Sequence, residues 1–161
     1  MGIALDTRTG TPIVVLNDQE NRRALPIWIG TAEASAIIRQ LEDIKSARPM
    51  THDLLANVVE ATGFSITKIE INDISSDTYF ASIYMAHSDG TVHVIDSRPS
   101  DAIALALKAK VQIFATANVM AEGTISTDQE RDEAEAQEFK NFLTDLKASD
   151  FKFEGEIESD Q

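Results

Sequence analysis

Val94-Ile95-Asp96-Ser97-Arg98-Pro99-Ser100-Asp101-Ala102-Ile103-Ala104-Leu105-Ala106-Leu107 runs from an apolar strand, through a turn bearing two carboxylates and a guanidinium, into an alanine-rich helix. Ile103, Leu105, Ala106 and Leu107, with alanine between them, predict a core helix that packs on more than one side and ends near Lys110. The same plan occurs upstream, where Ile27-Trp28-Ile29 leads through Gly30-Thr31 into a helix opening on Ala32-Glu33-Ala34. A third polar knot lies at Arg48-Pro49-Met50-Thr51-His52-Asp53. Polar chemistry is therefore concentrated at strand-helix and loop-helix junctions, and three such turns meeting in space would make a site.

The flanking sequence supplies the rest of the fold. Gly2 to Leu5, Pro12 to Leu16 and Ala24 to Ile29 read as strands, the first two joined by the turn-rich Asp6-Thr7-Arg8-Thr9-Gly10. Ala34, Ile37, Ile38 and Leu41 fall at helical spacing, and that helix should fade near Ile44. Thr51 is the expected cap of a second helix, with Leu54, Leu55, Val58 and Val59 as its buried stripe and Gly63 as its stop. Phe64 to Ile74 alternates as a strand with a slip between Ile66 and Ile69, the mark of a bulge. Tyr79 to His87 and Thr91 to Asp96 form a hairpin around Ser88-Asp89-Gly90. Gln112 to Ala115 reads as a short strand, and Asn118 to Glu122 as a helical turn. Thr127-Asp128-Gln129-Glu130 is a capping-box pattern expected to open a helix through about Leu146, with Phe139, Phe142, Leu143 and Leu146 as its apolar edge. This order predicts an α+β fold with a mixed or antiparallel sheet and packed helices. The expected division is a domain over 1–125 and an acidic helical extension with a frayed end over 126–161.

Composition narrows the function classes. With 43% hydrophobic residues the chain is too apolar to be disordered, yet no apolar run reaches the roughly 20 residues of a membrane-spanning helix. No membrane association is expected, and Met1-Gly2-Ile3 lacks the basic start of a signal peptide, so the expected location is cytoplasmic. Without cysteine there is neither a disulfide nor a thiolate metal site, which leaves His, Asp and Glu as strong ligands. The net charge is −13. Residues 126–161 hold 12 Asp and Glu against 4 Lys and Arg, residues 1–125 15 against 10. Tight nonspecific grip on duplex DNA is not expected of such a chain, and contact with nucleic acid falls to local groups such as Arg22, Arg23, Arg39, Arg48 and Arg98, or to metal ions. HExxH, Gly-Lys-Ser/Thr and Gly-x-Ser-x-Gly motifs are absent, which removes support for zinc proteolysis, nucleotide hydrolysis and esterase chemistry.

Trp28-Ile29-Gly30 with Glu33-Ala34, Arg48-Pro49 with Thr51-His52-Asp53-Leu54-Leu55, and Ile95-Asp96 followed by Arg98-Pro99-Ser100-Asp101-Ala102-Ile103-Ala104-Leu105-Ala106 occur here in the order and spacing of the bifunctional nuclease family, which the chain resembles over roughly residues 1–125. Ser97 stands where that family usually has alanine. The resemblance implies cleavage of phosphodiester bonds in RNA or DNA.

The chemistry of the three turns is compatible with that expectation and with a plainer one. Asp96, Asp101 and Glu33 are hard oxygen donors suited to Mg²⁺ or Mn²⁺. Equally, Asp101 can complement a helix dipole, Ser100 can cap the helix, and Asp96 can accept turn hydrogen bonds. Arg98 suits a phosphate clamp or an ion-pair network with Asp96, Asp101 or Glu33. Histidine is a residue type that can take or give a proton, so His52 can move one, with Asp53 orienting it or binding metal, or both can simply fill a polar first turn. The expected catalytic group is thus His52, Asp53, Asp96, Arg98 and Asp101, with Arg48, Thr51, Arg98 and Ser100 binding substrate. Trp28 reads as a core or subunit-contact residue ahead of a base-stacking one. The alternative is a noncatalytic oligomeric binding module for a protein or small anion, in which the polar turns are structural. Self-association into a homo-oligomer is expected on either reading.

Overall fold

Twelve elements follow one another in a computed structural model of the protein, which describes residues 1–127 together with 133, 134 and 137. They are β1 (Gly2–Leu5), β2 (Pro12–Asn17), β3 (Arg23–Trp28), α1 (Thr31–Leu41), α2 (Thr51–Ala61), β4 (Phe64–Ser75), β5 (Thr78–His87), β6 (Val92–Ser97), α3 (Pro99–Ala109), β7 (Gln112–Ala115), α4 (Ala117–Gly123) and β8 (Ile125–Ser126). The fold is α+β. Met1–Ile125 forms one compact unit and Ser126–Gln161 another. The expected helix from Thr127 to Leu146 falls almost wholly outside the described residues, of which Glu133, Ala134 and Gln137 are helical.

β1, β2 and β3 make an antiparallel meander, Gly2 opposite Val15 and Ile13 opposite Trp28. The second sheet runs β6-β5-β4-β7 and is mixed, with β7 parallel to β4 and the other pairs antiparallel. The slip read between Ile66 and Ile69 is a register shift between Ile66 and Lys68, and a second shift follows between Ile71 and Asp73. The first shift lets Ile66 share the buried face with Ile69 and Ile71, and the second lets Ile74 pack against the same core, because each extra residue resets the alternation.

α3 is the centre of packing. Pro99, Ser100 and the run from Ala102 to Ala106 are all buried, and the helix touches α1, α2, β4, β5 and β7. Alanine at every second or third position lets these neighbours approach its backbone, and Ile103 and Leu105 fill the remaining space. Each large aliphatic side chain so buried contributes about 1.5–3 kcal/mol. Lys110 closes the helix in the left-handed conformation at φ 57°.

Three expectations need correction. α2 does not bury its apolar stripe: Leu54, Leu55 and Val58 are 57%, 44% and 49% exposed, while Ala56 is buried and Val59 packs against the core. The helix meets α3 and β4 through its small face, so Ala56 takes the position the larger residues were expected to hold. Thr51 is not the cap of α2; Met50 precedes the helix in an extended conformation, and the Asp53 carboxylate accepts the Met50 N–H at 3.0 Å. Likewise Ser100 lies inside α3, whose cap position belongs to Arg98. Among the described residues no helix is long and apolar enough to cross a membrane.

Candidate active site

β6 ends at Ser97, and Arg98 keeps an extended backbone (φ −69°, ψ 145°) before Pro99 starts α3. That junction directs the Arg98 guanidinium into two ion pairs. Its Nε and Nη2 donate to the two oxygens of Asp101 at 2.7 and 3.1 Å, and its Nη1 donates to Glu33 Oε1 at 3.0 Å. One carboxylate comes from the first turn of α3 and the other from the first turn of α1, helices that pack side by side. The Asp101 carboxylate, and after it Glu33, raises the Arg98 guanidinium above its ordinary value, so the charge is permanent. A guanidinium has five N–H donors, and these bonds use three, leaving one N–H on each of Nη1 and Nη2. Gly30 leaves room for the Glu33 carboxylate, whose flexible end would have to shift if a Cβ stood there.

Arg98 lies on the wall of a cavity of about 920 Å³. Glu33, Asp96, Ser100 and Asp101 line it from one side, and Thr51 and His52 from the head of α2. Leu55, Phe80 and Ile95 give the walls an apolar character. The three polar turns therefore converge on one space. His52 is fixed by Gln40 of α1, whose side-chain nitrogen is 2.8 Å from His52 Nε2.

Two sequence candidates are placed elsewhere. Asp53 does not line the cavity; it receives Lys108 Nζ at 2.8 Å as well as the Met50 N–H, and its Oδ1 lies 3.8 Å from His52 Nε2, close enough to help orient the ring as the sequence suggested. Lys108 first, and the Met50 N–H second, hold the Asp53 carboxyl below the usual carboxylate range. The carboxylate thus ties the start of α2 to the last turn of α3. Arg48 is exposed in the loop ahead of α2 and lines neither described cavity.

The donors present do not fit a preformed metal centre. Asp101 and Glu33 both pair with the Arg98 guanidinium, which supplies the positive charge between them. Among the described residues no three His, Asp or Glu side chains group as a metal cluster.

Of the two readings of Trp28 as a core or a subunit-contact residue, the core one is corrected. Trp28 is 53% exposed at the end of β3, and its indole Nε1 donates to Asp6 Oδ2 at 3.1 Å. Sequence reasoning also passed over Gln40, Lys108 and Tyr79, since a polar residue on an amphipathic helix or an aromatic in a strand carries no local mark of its distant partner.

Comparison with known proteins follows the same region. A sequence model described as the bifunctional nuclease domain matches residues 14–128. An uncharacterized protein of Mycobacterium tuberculosis is 33% identical over 160 residues, covering 94% of this chain and 95% of that protein. Bifunctional nuclease 1 of Oryza sativa subsp. japonica is 26% identical over 103 residues, 63% of this chain and 31% of that protein. Bifunctional nuclease 2 of Arabidopsis thaliana is 25% identical over 91 residues, 55% of this chain and 28% of that protein. The chain thus spans about a third of the length of these plant relatives.

Proposed function

The chain belongs to the bifunctional nuclease domain family, and from that premise we propose that its large cavity hydrolyses phosphodiester bonds of RNA or DNA. The observation carrying this reading is the convergence of the three polar turns on one cavity with Arg98 on its wall. A phosphate entering there takes the two remaining Nη hydrogens of Arg98, a charge-assisted contact that strengthens as negative charge builds on the phosphoryl oxygens. Asp101 and Glu33 position the guanidinium and act through it. With Nε2 accepting from the Gln40 amide, the neutral His52 ring carries its hydrogen on Nδ1, from which it protonates the leaving oxygen. Thr51 and Ser100 offer hydroxyls to the substrate, and Asp96 orients the attacking water and accepts its proton. No step is assigned to Mg²⁺ or Mn²⁺, whose involvement is read directly by the assay.

That assay is cleavage of labelled single-stranded RNA and DNA by highly purified protein with Mg²⁺, Mn²⁺ or chelator, beside Arg98→Ala and Asp96→Asn variants of native fold. A loss of about 10²–10³-fold in turnover is expected for Arg98→Ala, the magnitude of removing one charge-stabilising donor. Equal cleavage by wild type and both variants would overturn the assignment. A homo-oligomer in the cytoplasm belongs to the same reading. Its support is β6, an edge strand with Val92, Val94 and Ile95 exposed, whose free backbone edge suits pairing with a second copy. A monomer in sedimentation equilibrium would remove it.

The noncatalytic alternative has one observation in its favour: Arg98 is already neutralised by two carboxylates. Under it, Arg98→Ala lowers the melting temperature and purified wild type cleaves nothing.

A further inference from the structure

A second cavity, of about 310 Å³, adjoins the first across the Arg98 bridge. The two share Glu33, Thr78, Tyr79, Arg98 and Ser100 as lining, and the second adds Trp28 and Asp77. Its volume is at the lower end of the roughly 300–1,000 Å³ typical of small-molecule sites.

The indole on its wall is half exposed yet held by its polar edge. Trp28 Nε1 donates to Asp6 Oδ2, while Asp6 Oδ1 accepts the Arg8 and Thr9 backbone N–H groups at 2.9 and 3.3 Å. An aromatic ring anchored in a turn by its one donor is a preorganised flat surface. The charges on this wall are Asp77 and Glu33 against Arg98, which is itself engaged by Glu33 and Asp101. Such a lining suits an uncharged ring, whose polar edge can meet the carboxylates or the Thr78 and Tyr79 hydroxyls.

We propose that this cavity is a nucleobase subsite, in which Trp28 stacks one unpaired base of a single strand while the adjoining phosphate reaches Arg98. The assignment rests on the nuclease reading and deepens it: a base held in a duplex stack cannot enter, so the substrate class is single-stranded RNA or DNA. Base-aromatic stacking tolerates any sequence, since every base offers a π-face.

Trp28 is the only tryptophan in the chain, so emission excited selectively at tryptophan, clear of Tyr79 and Tyr84, reports on the indole of this cavity. The full-length protein is titrated, in chelator, with end-labelled ten-nucleotide single strands and with a duplex of the same sequence, following both tryptophan emission and label anisotropy. Saturable quenching by the single strand and none by the duplex is expected. Trp28→Leu should weaken single-strand binding by about tenfold or more, the usual loss on removing a stacking ring, whereas Trp28→Phe keeps most of the affinity. Single-strand binding by anisotropy with unchanged tryptophan emission, or equal binding by Trp28→Leu, overturns the subsite and leaves the nuclease reading standing. No binding of any strand, with no cleavage by wild type, overturns both.

Discussion

α2 and α3 are each eleven residues long, each begins at a polar turn lining the same cavity, and each carries aliphatic residues at helical spacing. They nevertheless differ in burial along almost their whole length. α3 lies within the core with seven buried residues, whereas α2 buries only Ala56. The difference teaches that apolar periodicity marks which face of a helix can be buried, while the residue size at the contact decides which face is. α3 alternates alanine with larger side chains and so accepts close neighbours all round. α2 has Leu54, Leu55 and Val58 turned outward, while Ala56 is buried and Val59 packs against the core.

The contrast can be broken or sharpened by mutation. The largest effect is expected in α3, where Ile103→Ala should destabilise the protein by about 2–5 kcal/mol in denaturant melts, the usual cost of a cavity at a fully buried aliphatic position. A change below 1 kcal/mol would mean that α3 is not the structural centre.

An intermediate effect is expected at the joint between the two helices. Asp53→Asn removes the carboxylate that Lys108 and the Met50 N–H engage, at a cost of about 1–3 kcal/mol near neutral pH. Because Asp53 has a lowered folded-state pKa, its contribution is complete above the ordinary carboxylate value of about 4 and disappears as pH falls through the lowered value. Melting temperatures of the two proteins should therefore differ by a constant amount above about pH 5 and converge in acid. A gap that widens in acid would contradict the assigned pair.

The smallest effect is expected on the outer face of α2. Leu54→Ala should change stability by no more than about 0.5 kcal/mol in the monomer. A larger loss that depends on protein concentration would show that a second copy covers this face.

Much of the fold was legible in the residues themselves. Strand alternation, the Asp89-Gly90 turn, the bulge after Ile66 and the alanine-rich core helix are local patterns set by backbone geometry, and each is found where its pattern lies. The capping assignments for Thr51 and Ser100 failed because a hydroxyl beside a helix start is only one way to satisfy the first N–H groups. At α2 the Asp53 carboxylate takes the Met50 N–H instead, and at α3 Arg98 holds the cap position ahead of Pro99.

By itself, the sequence determined the α+β order of elements, the family, and the placing of polar residues at three helix starts, since these depend on near neighbours and on motif spacing. Only the tertiary structure decided that Arg98 bridges Glu33 and Asp101, that Asp53 pairs with Lys108, and that an exposed Trp28 lines a cavity together with Arg98. These contacts join residues as much as 65 positions apart, and the choice among several nearby charges is made by distance in the folded chain.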